Sequence, residues 1–153
     1  MMKTYSVTQD DIKRKQHVID ASDEVLGKLA TRVARLLMGK HKSIFVRNMD
    51  VGDFVTVTNA SKIKFTGNKG AQKFYYRHSG YPQGLKSISL EKLLASKPER
   101  VIQYAVKGML PRTRLNAKMM KRLKVYAGEA LPAKAKVAKK TEKAEKPETK
   151  PAA

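Results

Sequence analysis

Residues 18–40, VIDASDEVLGKLATRVARLLMGK, carry two patterns in succession. Val18 and Ile19 belong to a short strand, Ser22 is placed to cap a helix, and Gly39 is placed to stop it. Leu26, Leu29, Ala30, Val33 and Leu37 recur at helical spacing and are expected to face a core, while Lys28, Arg32 and Arg35 fall together on the opposite side. That cationic side is either a solvated face or one turned toward an anion.

Working outward, GDFVTVTNASKIKF alternates as a strand should, with Phe54, Val55 and Val57 before a turn at Asn59. A TGNKG turn leads into KFYYRHS, a second aromatic strand, and then the loop HSGYPQGLK from His78 to Lys86. Leu90, Leu93 and Leu94 mark one short helix; Val101, Ile102, Ala105 and Val106 mark another, with Pro98 at its first position and Gly108 at its end. Leu115, Met119 and Leu123 mark a third, whose other side bears Lys118, Lys121 and Arg122. Strands interleaved with helices predict an α/β domain, with strand order left open. The chain shows no internal repeat.

The 153 residues suit one domain with a modest core, and no apolar run is long enough to span a bilayer. MMKTYSVTQDDIKRKQHVID lacks the hydrophobic segment of a secretory signal, and Asp10 and Asp11 argue against an organellar presequence, so the mature chain is expected to begin here. Absence of cysteine excludes disulfides, thiolate metal sites and cysteine nucleophiles, as suits a reducing cytoplasm. The net charge of +20 favours polyanions, nucleic acid ahead of anionic membrane. From Ala133 onward AKAKVAKKTEKAEKPETKPAA offers Val137 as its sole branched aliphatic residue and is expected to be a disordered tail over residues 133–153. Its seven lysines less three glutamates account for +4, leaving +16 on residues 1–132, the expected folded domain.

The sequence has no Walker lysine motif, no dinucleotide glycine fingerprint and no HExxH, and Ser79 beside Gly80 is not a nucleophile elbow. His17, His41 and His78 are scattered rather than set at ligand spacing, so no metal or other cofactor is expected. Asp50 and Asp53 flank Gly52 before a strand; acid/base chemistry uses such pairs, but turn capping uses the same residues and is the favoured reading. The chain is expected not to be an enzyme and to take no small-molecule substrate.

The cations, by contrast, are grouped. Eight lie between Arg100 and Lys124 with no carboxylate among them, and between Phe54 and Leu90 the chain has no Asp or Glu but six Lys or Arg. A face meant only for water usually mixes signs. Lys and Arg supply salt-dependent phosphate affinity, Tyr75, Tyr76 and Tyr81 offer stacking surfaces, and Gly80 and Gly84 permit close backbone approach. Whichever of Tyr75 and Tyr76 points inward on its strand is core instead, which makes Tyr81 the stronger candidate.

VKGMLP at 106–111, followed by LKVYAG at 123–128, resembles the signature of the family of ribosomal protein thirteen of the large subunit, in its bacterial or organellar form. VIDASDEVLGKLATRVARLLMGKHK, VGDFVTVTNASKIKFTGNK and YYRHSGYPQGLK are similar to the family's matching segments in the same order, from about Lys3 to Gly128. The resemblance implies a single compact three-layer α/β/α domain with a small, mostly parallel sheet. It further implies a structural, cytoplasmic constituent of the large subunit that binds its ribosomal RNA, meets neighbouring ribosomal proteins, enters assembly early and has no catalytic duty. Gly108, Met109, Leu110 and Pro111 would turn the chain between helices and aim Arg112, Arg114, Lys118, Lys121 and Arg122 at RNA, with Gly128 closing the second motif. Lys40, Lys42, Lys69, Arg77, His78, Tyr81, Lys86 and Lys107, with the α-helical Lys28, Arg32 and Arg35, complete the expected RNA-binding set. Three positions depart from the family: Gln83 and Asn116 stand where it usually has Gly, or Gly or Ser, and a proline usually lies near Arg114. Asn tolerates left-handed backbone and would preserve the turn at 116; Gln does so less readily. A free-standing basic nucleic-acid-binding protein is the alternative that charge alone allows.

Overall fold

The computed structural model describes residues 6–129. The chain is α/β, as expected. Three parallel strands, β1 (Gln16–Asp20), β2 (Phe54–Thr58) and β5 (Leu123–Val125), lie in the order β1-β2-β5. Val18 pairs with Thr56, and Val57 with Val125. β2 is therefore central, and its run of buried residues from Val55 to Thr58 is what a doubly covered parallel strand requires. A separate antiparallel hairpin joins β3 (Phe74–His78) to β4 (Leu85–Ser89). The expected tail from Ala133 lies outside the described residues.

α1 (Leu26–Met38) buries Leu26, Leu29, Ala30, Val33 and Leu37, the stripe its spacing predicts, together with Ala34. Its start differs from expectation. Val25, not Ser22, is the N-terminal boundary residue and contributes no side-chain cap. Leu26 N instead donates to Lys64 O at 3.1 Å, because Val25 bridges Lys64 in parallel. Ser22 turns back, its N–H and hydroxyl both donating to Asp20 Oδ1 at 2.9 Å. Gly39 ends the helix in left-handed conformation at φ 79°, as the sequence predicts.

A 3-10 turn (Ala60–Lys62) and α2 (Lys69–Gln72) lead to the hairpin. α3 (Leu90–Ser96) and α4 (Pro98–Met109) follow, α3 capped by the Ser89 hydroxyl and α4 opened by Pro98. α4 packs against α1 and α3, placing Val101, Ile102 and Val106 in the same core as Leu29 and Leu37. Burying each such side chain contributes about 1.5–3 kcal/mol. Gly108 does not end this helix; it sits in the last turn, and buried Leu110 is the boundary residue.

α5 (Leu115–Lys121) is shorter than the apolar spacing suggested. Leu123 lies four residues after Met119 and extends a helical count, but it opens β5, where Leu123 and Val125 are buried and Lys124 is exposed. Sheet pairing to β2 overrode the local period. Past β5, Tyr126 N donates to Val57 O at 2.9 Å, and Asn59 N donates to Gly128 O at 3.0 Å. The LKVYAG segment thus pins the end of the central strand.

Candidate nucleic-acid interface

The fold sorts the cations into an inner and an outer set. The inner set gathers where the loop 40–53 returns beneath the C-terminal end of α1. Asp53 is fully buried and accepts from His17 Nε2 and His41 Nε2, each at 2.9 Å, and from Lys15 N at 3.0 Å. Lys42 forms an ion pair with the same carboxylate while donating to Lys13 O and Val51 O. Burial pushes the Asp53 carboxyl up, but the hydrogen bonds from Lys42, His17 and Lys15 N and the Lys42 charge outweigh it and hold the group at about 2, below its ordinary 3.8.

Arg122 is the second inner cation. Only 7% exposed, it forms an ion pair with Asp50 and donates to Leu37 O at 3.1 Å and Asp53 O at 3.3 Å. Gly52 makes room for this closure: a Cβ there would stand 1.7 Å from Leu37 O and 3.0 Å from Arg122 Nη2. The Asp50 and Asp53 side chains therefore do not cap their own turn, as the sequence suggested; they neutralise cations brought from distant segments.

Two residues of the expected RNA-binding set are engaged within the fold. Arg122 turns inward because β5 begins immediately after it, and Lys42 is spent on Asp53 and two carbonyls. Two of the histidines scattered in sequence come together in the fold: His17 and His41 meet on Asp53 with rings perpendicular at 5.8 Å. Their ligand atoms and that of Asp53 lie within 4.8 Å, the one grouping among the described residues able to hold a metal ion. Lys42 already supplies a positive charge to that carboxylate, so the cluster is complete as an ion network.

The outer set is disposed differently. Arg112 and Arg114 are exposed on the turn after Leu110, and Lys118 and Lys121 are exposed on α5. None of the four forms an ion pair among the described residues. Lys40 and Arg47 join this region, lining with Pro111, Thr113 and Leu115 a cleft of about 310 Å³. Arg14 shares a neighbouring cleft with Lys118. Asn116 holds the turn through its side chain, Nδ2 donating to Pro111 O at 3.0 Å, and not through left-handed backbone, since it lies within α5.

On α1, Lys28, Arg32 and Arg35 flank one shallow depression, although Arg32 is paired with Glu24 at 2.7 Å. Lys69 and Lys107 are exposed on α2 and in the last turn of α4, with Lys69 Nζ donating to the Thr66 hydroxyl. Met109 is exposed and accepts a hydrogen bond from the Thr31 hydroxyl at its sulfur, while Pro111 is exposed.

The hairpin carries Arg77, His78 and Lys86, all exposed, and Tyr81 at 76% exposure on its tip. Leu85 and Lys86 belong to β4, so the connecting loop is shorter than His78–Lys86. His78 Nδ1 accepts from Gly80 N at 3.0 Å, which makes it a turn support as well as a surface group. Gln83 adopts φ 58°, the left-handed conformation for which the family's usual glycine is suited. Tyr75 is the inward tyrosine, ringed by Tyr104 at 5.5 Å; burial, then Tyr104, raises its pKa. Arg14, Arg47 and Tyr104 were not singled out from sequence. Only their neighbours across the fold reveal them, and none lies in a motif.

Comparison with known proteins identifies the family. The family model described as Ribosomal protein L13 matches residues 14–132. The "Large ribosomal subunit protein uL13" of Nitratidesulfovibrio vulgaris is 60% identical over 131 residues, covering 86% of this chain and 91% of that one. Its namesake from Salinispora arenicola is 56% identical over the same length, covering 86% and 89%. That of Streptomyces griseus is 51% identical over 131 residues, again covering 86% and 89%. The family is structural and non-enzymatic. The chain belongs to the ribosomal protein L13 family, in its bacterial type.

Proposed function

We propose that the chain is a structural constituent of the large ribosomal subunit, binding large-subunit ribosomal RNA through its outer cations and entering assembly early. The observation that carries this reading is the contrast in pairing: inner cations have carboxylate partners, whereas Arg112, Arg114, Lys118 and Lys121 have none among the described residues. A carboxylate on that surface would repel phosphates and lose hydration as they closed over it. Phosphate neutralisation with counterion release supplies affinity, and the fixed spacing of the turn and α5 supplies fit to a folded RNA shape. Residues 1–132 act as the binding body, and neighbouring ribosomal proteins border it. Its place is the cytoplasmic ribosome.

Sedimentation of lysate on sucrose gradients in low and high salt, with the chain detected across fractions, tests this reading. Co-migration with the large subunit that survives moderate salt is expected. A chain that stays at the top, or travels with nucleoid DNA, overturns it.

A further inference from the structure

Arg77 on β3 stands directly opposite Lys86 on β4. Like charges in that relation repel and weaken a hairpin, and neither has a carboxylate partner among the described residues. The next pair along the same face is Tyr75 opposite Ile88, because alternate residues of a strand share a side. Across from this face lies α4, whose Arg100 and Tyr104 complete an open groove of about 520 Å³ floored by Leu93. Its lining contains three cations and no acid.

The apolar part of the groove is shaped as distinctly as its charge. Tyr104 and Ile88 are each 46% exposed, and Tyr104 is braced against Tyr75 at an interplanar angle of 32°. A flat, braced ring beside a pair of mutually repelling cations fits a planar base joined to a phosphate. Paired RNA would satisfy the cations alone, since its bases are stacked within the helix and present edges and backbone instead of faces. An unpaired base can lie on the ring while its phosphate relieves the repulsion between Arg77 and Lys86.

We infer that the groove between the β3–β4 hairpin and α4 receives a single unpaired nucleotide of the bound RNA, its phosphate between Arg77 and Lys86 and its base against Tyr104. The inference rests on the RNA-binding reading above and names the kind of RNA segment that this part of the surface takes.

The test titrates the full chain with an unstructured RNA heptamer and with a hairpin duplex of equal charge, at about 0.15 M salt. The Tyr104→Leu chain, which keeps apolar cover over Tyr75, is expected to bind the heptamer about tenfold more weakly with its duplex affinity unchanged. Arg77→Gln combined with Lys86→Gln removes the like-charge pair, so the hairpin keeps its fold, and heptamer affinity falls by a similar factor. Equal loss for both RNAs, no loss for either, or a wild-type chain that does not bind the heptamer overturns the assignment. In assembled large subunits, a benzophenone side chain at position 88 is expected to crosslink to an unpaired nucleotide; a crosslink to a neighbouring protein or to a base-paired segment overturns it. If the wild-type chain sediments with the large subunit while Tyr104→Leu changes neither titration, the groove assignment fails and the ribosomal reading stands.

Discussion

Lys121 and Arg122 are adjacent in sequence and belong to different regions of the molecule. Lys121 is exposed at the end of α5 and forms no ion pair among the described residues; Arg122 is buried against Asp50 and the end of α1. The inner region uses charge to close a loop onto a helix and leaves it fully matched. The outer region presents charge that the fold itself leaves unmatched. The comparison teaches that a run of cations is informative about a partner only after those answering to internal carboxylates have been subtracted.

Breaking the inner region should produce the largest effects. Asp53→Ala strands Lys42, His17 and His41 around a vacated buried position and should cost about 3–5 kcal/mol, read by urea unfolding. Arg122→Leu leaves Asp50 and the Leu37 carbonyl without their donor and should fall in the same range, whereas Lys121→Gln should stay within about 0.5 kcal/mol. Similar losses at 121 and 122 would erase the distinction between the two regions.

Acid titration sharpens the same contrast. The folded Asp53 pKa is depressed from 3.8 to about 2, so its contribution is fully present above 3.8 and is lost as pH falls toward 2. That limb should amount to about 2 kcal/mol in unfolding experiments across this window, and Asp53→Asn should flatten it. Smaller still, Gln83→Gly should stabilise the chain by about 1 kcal/mol or less, because a left-handed backbone costs a side-chain-bearing residue more than glycine, offset by glycine's unfolded freedom. A fall in melting temperature on that change would show that the Gln83 side chain is itself needed at the hairpin tip.

The elements that sequence revealed are those whose periodicity is local. The α1 stripe and Pro98 at the start of α4 were readable because each reports its own environment within one element; the β-formers of β2 marked a strand, although Val55 to Thr58 are all buried and do not alternate. β4 and β5 were not: LKSIS is almost wholly exposed and has no buried face to alternate, and Leu123 fits a helical count as well as a strand. The outer candidates Arg112, Arg114, Lys118 and Lys121 were legible as an acid-free run, but Lys42 and Arg122 looked no different. Their partners Asp53 and Asp50 lie 11 and 72 residues away in sequence, so only the returning loop discloses them. Gln83 was legible as a departure from the family, and its positive φ supplies the physical reason that glycine suits the site.

Amine labelling of the free chain and of intact large subunits, read residue by residue by mass spectrometry, addresses the division most directly. Lys118 and Lys121 should react in the free chain and be protected in the subunit, while Lys42 should be protected in both. Full reactivity of Lys118 and Lys121 within the subunit would contradict the claim that the unmatched outer cations are the RNA-binding surface.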